Sequence, residues 1–167
     1  VELPANDTRP FYLGHPSLQT TQVPARDATP SGDIKRSNRF PNCTYFTNWI
    51  NLEDTISWEA EVAQDGEFEI MIYYSCAEDA IGSLFEVSFG DASIQGEIRE
   101  AHNPGDFGAS EDRVGRQESY IKDFNSLNLF ERSLNSFFLL SIFFLVSKYS
   151  SIIFTAVIKL SLIHISE

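Results

Sequence analysis

From Ile56 to Ile98 the chain repeats one pattern: a short run of alternating apolar and polar residues, then a turn. In ISWEAEV the apolar set is Ile56, Trp58, Ala60 and Val62, with Ser57, Glu59 and Glu61 between them. Successive strand side chains point to opposite faces, so this period of two gives one buried and one solvated face. FEIMIYYSC continues with Phe68, Ile70, Ile72 and Tyr74, LFEVSFG sets Phe85, Val87 and Phe89 inward, and SIQGEIRE offers Ile94 and Ile98. The runs are divided by AQDGE, whose Asp65-Gly66 predicts a hairpin because glycine tolerates positive φ, and by GDA. No run here has a helical period. Short strands separated by turn residues predict an all-β chain folded as an antiparallel β-sandwich.

The flanks read differently. Residues 1–42 hold Pro4, Pro10, Pro16, Pro24, Pro30 and Pro41 and no sustained period. Proline excludes a long helix or central strand, so this stretch predicts an extended connector lying on another surface. The sandwich is then residues 43–130. Within it, residues 102–119 form a long polar, glycine-rich loop of the kind that is functional or docked. YIKDFNSLNL restarts a strand region. Near Glu131 the composition changes, and residues 131–167 read as an aberrant apolar tail, helical if structured. VELPANDTRP has no initiator Met and no apolar signal region, and reads as the middle of a longer protein.

Charge narrows the partners. The chain carries 12 basic and 24 acidic residues, a net charge of −12. Such a surface repels phosphate backbones, which excludes nucleic acid as a partner. Two cysteines, Cys43 and Cys76, are too few and too far apart for a metal knuckle. In an exported chain they form one disulfide; in a cytosolic one they are small buried hydrophobes.

Candidate chemistry is thin. His102 with Asp106 and Asp112, and the acidic pairs Glu53-Asp54, Glu78-Asp79 and Glu111-Asp112, read first as turn and loop residues. Sugars stack their C–H faces on exposed rings while polar groups take the hydroxyls. Trp58 and Tyr74 share the inward phase and belong to the core. Tyr73 is out of phase and faces outward, and Trp49 sits in a pre-strand loop, so these two are the ring candidates. Arg113 and Arg116 could pair with a sulfate group, because Arg presents a planar fork to oxyanions. Their competing role is pairing with Glu111, Asp112, Glu118 and Asp123.

An ordered set of segments carries a family resemblance: KRSNRFPNCTYFTNW, DTISWEAEV, DGEFEIMIYYSC, GSLFEVSFG, EAHNPGDFG and DRVGRQESYIKDF. Together they resemble the C-terminal, non-catalytic region of bacterial, planctomycete-type arylsulfatases. The resemblance implies a galactose-binding-like sandwich similar to carbohydrate-binding modules. It implies docking on the upstream sulfatase catalytic domain of the same parent chain, sulfated glycan as a ligand, and a periplasmic or extracellular location. It implies no cofactor in this chain and makes the missing catalytic domain a candidate for calcium; hard carboxylate oxygens leave calcium at one of the acidic pairs as the competing reading. Sulfatases convert the Cys or Ser of Cys/Ser-x-Pro-x-Arg to a formylglycine. The nearest match, QVPAR, places Gln22 where that precursor belongs, and an amide cannot become the aldehyde hydrate. The alternatives are an independent carbohydrate-binding or adhesion module and a membrane-anchored sandwich.

The last eight residues, LSLIHISE, match a translated transposase adapter used in sequencing libraries. The tail therefore reads as non-native, adapter-derived or frame-shifted, leaving the sandwich incomplete. Phe137–Ile158 is long enough to span a bilayer. Lys148 at mid-span costs about 2.5 to 3.5 kcal/mol, which disfavours a membrane partner.

Overall fold

The computed structural model describes residues 9–40, 42–63, 66–134, 138–145 and 152–163. The first half supplies β1 (Phe11–Leu13), β2 (Thr21–Val23), β3 (Thr29–Pro30), β4 (Lys35–Arg36), β5 (Phe46–Trp49), β6 (Thr55–Val62) and β7 (Gly66–Cys76). The second supplies β8 (Leu84–Phe89), β9 (Ala92–Glu97), β10 (Asp106–Phe107), β11 (Ile121–Lys122), β12 (Asn125–Leu134), β13 (Phe138–Leu145) and β14 (Ile152–Ile163). One sheet runs β1-β6-β13-β8-β9, with β3 also on β6. The other runs β12-β7-β14-β5-β4, with β2 also on β14, and β10 and β11 form a separate ribbon. All pairings among these strands are antiparallel except β1 on β6.

The alternation read from sequence is the core. Ile56, Trp58 and Ala60 of β6 and Phe85, Val87 and Phe89 of β8 are buried, as are Phe46 and Trp49 of β5 and Phe68, Ile70, Ile72 and Tyr74 of β7. All belong to one continuous cluster, so the two sheets close face to face over a single core. Each fully buried large side chain contributes about 1.5 to 3 kcal/mol. The two indoles carry the core outward to the loops. Trp58 Nε1–H donates to the Pro24 carbonyl at 2.9 Å and Trp49 Nε1–H to the Asp54 carbonyl at 3.2 Å.

Close approach fixes two glycines. A Cβ at Gly96 of β9 would fall 2.3 Å from the Phe85 ring. Gly32 has φ +69, and a Cβ there would fall 1.7 Å from Asp54 Oδ1. The Asp54 side chain is buried under this turn and accepts the Asp33 N–H at 3.2 Å.

Three expectations change. The hairpin expected at Asp65-Gly66 is not formed: β6 and β7 are not paired and lie in opposite sheets. Both strands keep their apolar faces, now turned toward each other. Gln64 and Asp65 themselves lie outside the described residues. β8 and β9 do form a hairpin, with a six-pair ladder joined at Gly90, which has φ +60.

The stretch read as a connector belongs to the sandwich. β1 to β4 pair into both sheets, and Leu13, Val23, Ala25, Ala28 and Ile34 are buried in the core. Strands of two or three residues are too short to show a period. Their prolines sit where a missing N–H is tolerated, Pro10 before β1, Pro24 after β2 and Pro30 at the end of β3.

The tail is strand rather than helix. β13 runs between β6 and β8, with Ile142 opposite both Ile56 and Val87. β14 runs between β7 and β5. A continuous apolar run is the composition of a strand with neighbours on both sides, and these two fill the places that a chain ending near Glu131 would leave open. Among the described residues no helix is long and apolar enough to cross a membrane. Residues 137 and 146–151 of the bilayer-length segment, and 164–167 of the adapter match, lie outside the described residues.

Two substitutions test this packing by urea denaturation. Phe85→Ala is expected to cost about 3 to 5 kcal/mol through the cavity it leaves. Gly32→Ala is expected to destabilise by about 1 to 3 kcal/mol, since it strains the backbone and displaces Asp54.

Candidate functional site

A cleft of about 1420 Å³ opens beside the β1–β6 edge. β1 lies parallel on β6 with Tyr12 opposite Glu61. Strand alternation then buries Leu13 and leaves the Tyr12 ring 51% exposed at the cleft. Glu59 and Glu61, on the outward phase of β6, line the same space. The 3-10 turn Ala25–Asp27 forms a second wall: Ala25 points into the core, and Arg26 and Asp27 point out as an ion pair at 3.3 Å. Asn38, Arg39, Phe40 and Thr44 form the third wall.

Arg36 holds these walls together. Its guanidinium donates to the Ala25 carbonyl at 2.7 Å and to the Ala28 carbonyl, and lies 4.9 Å above the Phe46 ring. Burial lowers its pKa from the ordinary value, and Asp27 opposes that shift. With the Trp58 bond to Pro24, the 24–28 turn is tied to both sheets. Arg39 stacks 4.7 Å above the Phe40 ring.

The long polar loop buttresses the third wall from behind. Ser37 and Ser119 hydroxyls bond at 2.7 Å, Asn38 Nδ2 donates to the Gln117 carbonyl, and Asn42 Nδ2 donates to Glu118 Oε1 at 2.8 Å. Tyr45 meets Phe124 edge to face at 5.9 Å and feels the Asp106 charge. Burial, then the Asp106 charge, raises the Tyr45 pKa; burial likewise raises that of Tyr74. The loop is thus docked, as its length predicts.

The residues singled out in the sequence do not gather here. Trp49 is a core residue, 1% exposed, because its strand turns it inward; it is no sugar platform. Tyr73 is half-buried on the other sheet, opposite Ser126 of β12 and Thr155 of β14. Arg116 pairs with Asp112 at 2.6 Å and lies over Tyr120, and this pairing holds the Asp112 carboxyl below its ordinary pKa. Arg113 is exposed on the loop. The cysteines are free thiols: Cys43 is exposed and Cys76 is buried in β7, so no disulfide joins them. Burial raises the Cys76 pKa. Among the described residues no group of three or more His, Cys, Asp or Glu side chains could hold a metal ion. The cleft residues that sequence reading missed, Tyr12, Arg26, Arg36, Arg39 and Phe40, all lie in the proline-rich stretch. The one available signal was its density of arginines, in ARD and KRSNRF.

No protein-family model and no curated protein sequence matches the chain. Solved structures do. The C-terminal CBM6 of LamC, a marine laminarinase from Zobellia galactanivorans, aligns with TM-score 0.56 at 12% identity, over 85% of this chain and 98% of that module. A family 35 carbohydrate-binding module from Clostridium thermocellum aligns with TM-score 0.56 at 11% identity, over 86% and 98%. The GH26-CBM35 β-(1,4)-mannanase of Podospora anserina aligns with TM-score 0.59 at 13% identity, over 89% of this chain and 29% of the enzyme. At these identities the likeness shows the fold: this chain has the all-β sandwich architecture of such modules.

Tyrosine titration tests the docked loop. Both Tyr45 and Tyr74 are expected to ionise above the ordinary phenol range, with Tyr45→Phe removing one late phase from the absorbance titration. A raised folded pKa favours the neutral phenol. Stability is therefore unaffected below the unfolded pKa of about 10 and falls as pH rises past it.

Proposed function

We propose that the chain is a non-catalytic saccharide-binding module that holds a glycan in the cleft at Tyr12. The observation that carries this reading is an exposed aromatic ring set in an open cleft among polar side chains. A pyranose C–H face packs on such a ring, and its hydroxyls take hydrogen bonds from Arg and Asn38 and donate to Glu59 and Glu61. The sandwich shared with structures described as carbohydrate-binding modules supports it. The work of such a module is tethering, which raises local substrate concentration without bond-breaking.

The ordered sequence resemblance supports an arylsulfatase-like parent, with this chain docked C-terminal to its catalytic domain outside the cytoplasm. The eight-residue adapter match supports a non-native origin for residues 160–167 alone, since β13 and most of β14 take interior places in the two sheets. Genomic sequence decides both: the upstream region is expected to encode Cys/Ser-x-Pro-x-Arg, and the native gene to diverge within these last eight residues.

Affinity electrophoresis of the full chain in polysaccharide gels tests the site. Tyr12→Ala is expected to weaken retention by about tenfold or more, equivalent to about 1.4 kcal/mol. The melting temperature should change little, because the ring is half exposed. A glycan array without signal for the unmodified chain would overturn the proposal.

A further inference from the structure

We infer that the chain binds a calcium ion between the turns at 31–33 and 51–54, with the Asp54 and Asp33 carboxylates as its charged ligands. The observation is a buried carboxylate that the protein leaves unsatisfied. Asp54 is 2% exposed, and its Oδ2 has no hydrogen-bond partner. Its Oδ1 accepts the Asp33 N–H at 3.2 Å. Among the described residues no lysine, arginine or histidine forms an ion pair with it. A carboxylate taken out of water keeps its charge only where a counter-charge or hydrogen bonds replace the lost solvation. One backbone N–H does not do that, and an orphaned buried oxygen calls for a ligand.

The surroundings are those of a hard cation. A Cβ at Gly32 would fall 1.7 Å from Asp54 Oδ1, so the carboxylate is seated against the 31–33 turn. Asp33, the next residue, is exposed and supplies a second carboxylate. Asn51 Nδ2 donates to Asp33 Oδ2 at 2.7 Å, and Asn48 Nδ2 donates to the Asp33 carbonyl at 2.8 Å. These bonds fix Asp33 and leave its Oδ1 as an acceptor. The neighbouring hydroxyls of Ser31 and Thr55 bond each other at 2.7 Å. The available ligands are therefore oxygens, which suit calcium rather than a thiolate- or imidazole-loving metal. Calcium accepts irregular geometry and completes its shell with water, whereas magnesium demands a near-ideal octahedron. Two charged ligands, one of them exposed, place the dissociation constant at about 10⁻⁴ to 10⁻³ M, the range of extracellular modules. The ion fastens the approach to β4, which carries Arg36, to the start of β6.

Terbium, a luminescent stand-in for calcium, reads the site in the full chain. The Trp49 indole donates to the Asp54 carbonyl at 3.2 Å, so it stands beside the ion and sensitises terbium emission when tryptophan is excited. Calcium is expected to displace the terbium and quench that emission, and an equal concentration of magnesium to leave most of it. The melting temperature is expected to rise by about 2 °C or more in about 5 mM calcium relative to EDTA. Asp33→Asn and Asp54→Asn are each expected to weaken terbium binding by about tenfold or more and to abolish the calcium-dependent rise. Asp33 is exposed, so its variant keeps the test decisive if Asp54→Asn does not fold. A melting temperature indifferent to calcium, the absence of sensitised emission, or unchanged terbium affinity in Asp33→Asn overturns the inference. Competition by magnesium as strong as that by calcium overturns the assignment to calcium.

Discussion

Everything in this molecule hangs on two apolar faces closing on each other. β6 and β7 are consecutive in sequence but lie in opposite sheets, and each offers an apolar residue at every second position. Neither face is covered by its own sheet. Burial of Trp58 and Ile56 against the opposite layer is what brings the layers together, because apolar surface removed from water is the largest favourable contribution to folding. The other strands extend these two faces sideways.

The core reaches the surface through its polar atoms. An indole buried without an acceptor leaves a costly unpaired N–H. Trp58 satisfies its own on Pro24 and Trp49 satisfies its own on Asp54, so each fixes a loop while completing the core. The 24–28 turn is one of these loops, and Arg36 holds it from the other side. Cleft geometry is thereby a consequence of core packing. The walls do not have to be ordered by a ligand, which lowers the entropic cost of binding.

The distribution of function follows. The long loop, marked in the sequence as functional or docked, is occupied with itself and with Ser37, Asn38 and Asn42. Its Arg116 faces Asp112, its Ser119, Gln117 and Glu118 bind the neighbouring segment, and its Tyr120 lies under Arg116. It acts as a buttress for the wall that carries Arg39 and Phe40. The cleft combines an exposed ring with hydrogen-bonding groups, a set suited to holding a polyhydroxylated ligand.

The sequence by itself determined the strand class and the inward set from Ile56 to Phe89, because alternation of side chains along a strand is a local property of the backbone. It also marked the long loop as functional or docked, without deciding between the two. That β6 and β7 part into opposite sheets was not legible, since a turn dipeptide does not say whether the next strand pairs with the last one or joins the other layer. Nor were the strands of residues 11–36, which at two or three residues are too short to repeat a period and owe their existence to neighbours distant in the chain. The same holds for Trp49, whose outward or inward turn depends on β14 beside it. The cleft was hidden for the same reason: Tyr12, Arg26, Arg39 and Glu59 are far apart along the chain, and only pairing of β1 with β6 and the hold of Arg36 on the 24–28 turn bring them to one place.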